Sequence, residues 1–92
     1  MIAAFALIKA EPARIADLAG ELTEIEGVAE VYSVAGEVDL VAIIRVRLHD
    51  DLADVMTRHL ASLPGIVETR TMVAFRAYSQ HDLESMFSLG GD

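Results

Sequence analysis

A weak internal repeat constrains this chain more than any other feature: moved along by 38 residues, Ile25-Glu26-Gly27-Val28 falls on Leu63-Pro64-Gly65-Ile66, and Leu22 falls on Leu60. Each copy has room for one strand-helix-strand unit. In the first, Ile2 to Ile8 is almost wholly apolar, as in a central strand covered on both faces, and Lys9 to Pro12 ends it. Pro12 suits a helix first turn; Ile15, Leu18, Ala19, Leu22 and Ile25 then recur at helical spacing until Gly27. Alternation from Val28 to Ala35 predicts a second strand, with Val28, Glu30, Tyr32 and Val34 on one face. The second copy runs from a strand at Leu40 to Leu48, through a helix with Asp50 and Asp51 as its N-cap and Leu52, Val55, Met56, Leu60 and Leu63 as its stripe, to a long strand at Ile66 to Tyr78. On that last strand Val67, Thr69, Thr71, Val73 and Phe75 are expected on one face.

Two such units in tandem predict an α+β, ferredoxin-like β-α-β-β-α-β antiparallel sheet with both helices on one face. The first and third strands should be central, since they are the most apolar. Their second apolar face then needs a cover. With 92 residues, 53% of them hydrophobic, the chain has a large surface for its apolar content, so a second copy of the sheet is the simplest cover. Dimerisation through that face, as a dimeric α+β barrel, is expected. Residues 1–79 form the domain, and 80–92 a short amphipathic tail bearing Leu83, Met86 and Phe87.

A net charge of −8, with seven scattered Lys and Arg residues, argues against direct nucleic-acid binding. The chain has no cysteine, no signal pattern and no 18-residue apolar run, so a cytoplasmic, soluble protein without membrane contact is expected. His49, His59 and His81 have no ligand spacing, so no metal is expected. The acidic groups Glu24, Glu26, Glu30 and Asp50, Asp51, Asp54 read as solvated helix ends. No nucleophile stands beside a base in an interpretable motif, and no phosphate-loop or dinucleotide glycine pattern occurs, so neither an enzyme nor a cofactor is expected.

What remains is the polar turn Gly36-Glu37-Val38-Asp39 between two apolar runs. Glycine lets a ligand approach the backbone or gives the turn a positive φ, and a carboxylate three residues later can hold a cation beside those amides. Such a pairing suits a zwitterion, although the same residues are ordinary in hairpins. Thr69 and Thr71 offer hydroxyls that donate and accept, and Tyr32 and Ser33 lead into the turn. Threonine is also simply favoured in strands.

The run Val28 to Leu40, with Leu63-Pro64-Gly65-Ile66 and Thr69-x-Thr71, closely resembles the effector domain of Lrp/AsnC regulators over about Ile2 to Tyr78. That resemblance implies a regulation-of-amino-acid-metabolism (RAM) domain: ferredoxin-like subunits that dimerise through their sheets, assemble into ring-like octamers and bind free amino acids between dimers. It implies an effector pocket at Gly36 and Asp39, with Tyr32, Ser33, Glu37, Thr69 and Thr71 as neighbours. Asp39 would attract the ligand ammonium, and amides near Gly36 its carboxylate. Family members carry a helix-turn-helix domain ahead of this one, whereas Met1 here opens almost directly into the first strand, so a stand-alone version is expected.

The leading expectation is a non-catalytic amino-acid sensor and oligomerisation module that modulates transcription of amino acid metabolism, acting on a full-length Lrp/AsnC regulator by mixed assembly. A small dimeric enzyme of the monooxygenase type on the same scaffold, or a structural assembly partner, are the alternatives.

Overall fold

The computed structural model describes residues 1–80. In chain order it contains β1 (Ile2–Ala10), a 3-10 turn (Pro12–Arg14), α1 (Ile15–Thr23), β2 (Val28–Ser33), β3 (Leu40–Val46), α2 (His49–Asp54) and β4 (Ile66–Val73). A π turn (Val55–His59) and a 3-10 turn (Leu60–Ser62) prolong α2. The sheet order is β2-β3-β1-β4, with all pairs antiparallel. This is the expected α+β, ferredoxin-like arrangement, with β1 and β3 central. The tail helix expected around Leu83, Met86 and Phe87 lies outside the described residues.

Strict alternation in the central strands builds the core. Ala4, Ala6, Ile8 and Ala10 of β1 and Leu40, Ala42, Ile44 and Val46 of β3 are buried on the helix side, beneath Leu18, Leu22, Leu52, Val55 and Leu60. Small alanine side chains at Ala4, Ala6 and Ala42 let the helices approach the sheet closely, where a wider residue would force them apart. The other side of the same strands carries Phe5, Leu7, Val41 and Ile43, all half-buried. Among the described residues no helix covers this open side.

The turn after each helix contains a glycine with positive φ, Gly27 at 101° and Gly65 at 92°. A bulge follows each. Val28 pairs with Ile44 but Glu30 already pairs with Ile43, and Ile66 pairs with Ala10 but Glu68 already pairs with Lys9. Ala29 and Val67 are thus extra residues, and each resets the alternation. The expected faces are corrected accordingly: Val28 turns to the core, away from Glu30 and Tyr32, and Ile66 packs on the core while Val67 stands 66% exposed.

Three further expectations need correcting. Leu48 is the N-cap residue of α2 and no side chain caps it; Asp50 and Asp51 sit in the first turn, where their charge still favours the helix dipole. Beyond Asp54 the chain widens into a π turn, whose five-residue step brings Val55 and Leu60 round to the same buried side. The last strand ends at Val73, short of Tyr78, because β1 begins at Ile2: after Ala74 donates its N–H to the Ala3 carbonyl, little of β1 remains to pair with.

Candidate functional site

The turn between β2 and β3 is tied to the end of β1. Val34 N–H donates to the Asp39 carbonyl at 3.0 Å, and Asp39 N–H donates to the Ile8 carbonyl at 2.9 Å. Asp39 also uses its side chain, Oδ2 accepting the Ala10 N–H at 2.8 Å. One carboxylate oxygen is therefore engaged with backbone, while Oδ1 makes no hydrogen bond among the described residues. Gly36 lies at the tip with φ 135°, and a side chain there would meet no atom within 4 Å. Its glycine is required by backbone geometry and leaves the adjacent amides open to approach.

Below this turn, on the open side of the sheet, is a cleft of about 260 Å³. Leu7 and Lys9 of β1 form its floor, Glu37 and Val38 of the turn one wall, and Glu68 and Arg70 of β4 the other. Arg70 Nε stands 3.5 Å from Glu68 Oε1 with both side chains exposed. Lys9 and Glu37 have no ion-pair partner among the described residues. The cleft thus combines one cation, one anion, a neutralised pair and two apolar side chains, a set able to hold a small molecule that carries both charges.

The seven residues expected at the site do not converge. Gly36, Glu37 and Asp39 share the turn, and of these Glu37 enters the cleft. Thr69 and Thr71 face the helix side of β4, where Thr71 Oγ1 lies 3.8 Å from Met56 Sδ. Ser33, Leu40, Ile8 and Thr69 make one row across the sheet, so Ser33 and Thr69 stand three strand spacings apart, roughly 14 Å. Tyr32 lies on the open side of the opposite edge, its hydroxyl donating to Glu30 Oε2, with Arg45 Nη1 3.4 Å from Glu30 Oε1. That hydrogen bond holds the Glu30 carboxyl below its ordinary pKa, helped by Arg45, and raises the Tyr32 phenol above its own.

Residue-by-residue reading missed Leu7, Lys9, Val38, Glu68 and Arg70. Lys9, the first charge after an apolar run, carries a signal in the sequence that marks a strand end equally well. Arg70 is placed by register, pairing with Leu7. A second, wider cleft of about 370 Å³ lies at the opposite end of β3, between Arg45, Arg47, His59 and the carboxylates Glu26, Asp51 and Asp54. Among the described residues no three His, Asp or Glu side chains gather as a metal-holding group, and no helix is long and apolar enough to cross a membrane.

Comparison with known proteins adds four findings. Residues 3–83 match the family described as the Lrp/AsnC ligand binding domain. The HTH-type transcriptional regulator FL11 of Pyrococcus abyssi is 31% identical over 77 residues, which are 84% of this chain and 50% of that protein; the chain spans about half the length of the curated relatives it matches. Among solved structures, TTHA0845 from Thermus thermophilus superposes with a TM-score of 0.82 at 45% identity, over 87% of this chain and 100% of that one. The transcriptional regulator NMB0573 of Neisseria meningitidis, solved as a complex with L-Met, shares the fold at a TM-score of 0.76 and 14% identity, over 86% of this chain and 53% of that one.

Proposed function

Since the chain belongs to the Lrp/AsnC ligand-binding domain family, we propose that it is a non-catalytic sensor of free amino acids in the cytoplasm, coupling ligand occupancy to assembly and so to transcription of amino acid metabolism. The observation that carries this reading is the Gly36–Asp39 turn, where the amides beside Gly36 are open to a carboxylate and Asp39 Oδ1, unbonded among the described residues, is open to an ammonium. The complex of NMB0573 with L-Met supports it as an example on the same fold.

In this proposal the ligand sits at the hairpin end of the sheet, with Gly36, Glu37 and Asp39 nearest it. Asp39 Oδ1 meets the ammonium while Oδ2 keeps its bond to Ala10. Thr69 and Thr71 on one edge of the sheet and Ser33 and Tyr32 on the other are too widely spread to reach the same molecule. Two subunits meet through the half-buried open sides of their sheets, burying Phe5, Leu7, Val41 and Ile43, and dimers assemble further into an octameric ring. A full-length Lrp/AsnC regulator joins through the same contacts.

Light scattering after size exclusion, with and without the twenty amino acids, tests the proposal on wild type and Asp39→Ala. An assembly larger than a dimer, responding to amino acids only in wild type, is the expected result. A dimer indifferent to every amino acid overturns it.

A further inference from the structure

Thr69, Thr71 and Val73 face the same side of the sheet as the buried core, since they pair with Ile8, Ala6 and Ala4, yet every residue of β4 after Ile66 is exposed. Exposed large apolar side chains gather on this strand and just beyond it, at Val67, Met72, Val73, Phe75 and Tyr78. We propose that residues 81–92 of the same chain fold back as a third helix onto the helix side of β4. Leu83, Met86 and Phe87 then rest against Thr69, Thr71, Val73 and the nearby Met56.

The local sequence supplies the helix. Ser79 stands where an N-cap is needed, Gln80 is already helical, and Asp82 in the first turn favours the dipole. Leu83, Met86 and Phe87 fall at i, i+3 and i+4 on one stripe, with Glu84, Ser85 and Ser88 turned away from it. A helix this short is marginal in water and needs a surface to lie on. The reach is sufficient. Ala74 to Gln80 can span at most about 23–25 Å and bends at Phe75. A helix over 81–92 is roughly 18 Å long, within the roughly 26 Å of the eight-residue β4. The side follows from what else needs cover: the open side carries Phe5, Leu7, Val41 and Ile43, the surface assigned above to a second copy, and a helix on the opposite side leaves it free. Attachment to the same chain gives the segment a high effective concentration at β4. Most of the segment lies past residue 83, where the family match stops, so this cover is an addition to the shared fold.

The chain has no cysteine, and the exposed neighbours Thr71 and Met72 point to opposite faces of β4, which allows a direct test on the full chain. Met86→Cys is combined with Thr71→Cys or with Met72→Cys and oxidised at low protein concentration. The bridge within one chain is expected to form at least about tenfold faster with Thr71→Cys, because proximity sets the effective concentration. Alkylation of Thr71→Cys alone is expected to speed up at least about fivefold when Leu83→Asp and Met86→Asp are added, since a docked segment must open before the thiol reacts. Met72→Cys should be alkylated at the same rate with and without the two aspartates. An equal or faster bridge to Met72→Cys, no bridge to either, bridges only between chains, or alkylation of Thr71→Cys indifferent to the aspartates each overturns the proposal.

Discussion

In the first half of the chain the side chain that Gly27 lacks would meet Val46 Cγ1 and Val55 Cγ2, each at 3.0 Å, whereas in the second half that of Gly65 would strike Arg14 Cβ at 2.8 Å. The backbone task is the same in both: a positive φ turns the chain from helix to strand, one residue points inward, and a bulge follows before Glu30 or Glu68. The surroundings differ. Gly27 is pressed by core side chains, while Gly65 lies under a polar clamp in which Arg14 Nη2 reaches Glu21 Oε2 at 2.5 Å and the Pro64 carbonyl at 3.4 Å. Glu11 N–H closes the clamp by donating to the Gly65 carbonyl at 2.8 Å. One local geometry can therefore be held by packing or by hydrogen bonds, and the two should fail differently.

The largest difference should come from the equivalent core leucines. Leu22 and Leu60 are both buried, but Leu22 sits in regular helix and Leu60 follows a π turn whose looser backbone can collapse into a vacancy. Leu22→Ala is expected to cost about 3–4 kcal/mol and Leu60→Ala about 2–3 kcal/mol in denaturant unfolding, because residual cavity volume sets the cost. Equal losses would erase the distinction between the halves. Next come the glycines: Gly65→Ala should cost about 2 kcal/mol or more, and Gly27→Ala about 1–2 kcal/mol, from strain at positive φ plus the contact each new methyl makes. If the clamp is the reason, Arg14→Gly should narrow the loss at Gly65 and leave that at Gly27 unchanged.

How far the sequence reveals this architecture follows from what each feature does to spacing. The repeat, the helical stripes and the doubly apolar central strands are periodic, and so legible. The bulges are not, since Ala29 and Val67 are ordinary strand residues in exposed edge strands where no apolar pattern breaks. The turn of the candidate site was legible because glycine and aspartate have specific backbone uses. Its cleft was not, since Lys9, Glu37 and Arg70 come from three elements that only the sheet register brings together.

Smaller effects refine the comparison at the sheet ends. Replacing Asp39 by alanine removes the acceptor of the Ala10 N–H and should cost about 1–2 kcal/mol, while Asp39→Asn, which keeps an acceptor, should cost less. Comparable losses in thermal unfolding would mean that the charge, and not the hydrogen bond, holds the turn. Smallest of all is the pair on β2. Glu30 is held below its ordinary pKa, so its contribution to stability is present at neutral pH and is lost as pH falls through the lowered value. The phenol of Tyr32, raised above its usual range, acts at the other extreme, its contribution fading as pH climbs through the raised value. An NMR titration of Glu30 in Tyr32→Phe should show its midpoint move back up; no movement would assign the shift to Arg45.

The paired bulges also govern how the sheet can meet other strands. β2 and β4 are its two edges, and each is kinked near its first residues, at Ala29 and Val67. Neither edge presents an unbroken row of free amides and carbonyls along its full length, which is the template that edge-to-edge ribbons and fibrils need. In a chain that is 53% hydrophobic, that break works against open-ended polymerisation along the strand edges.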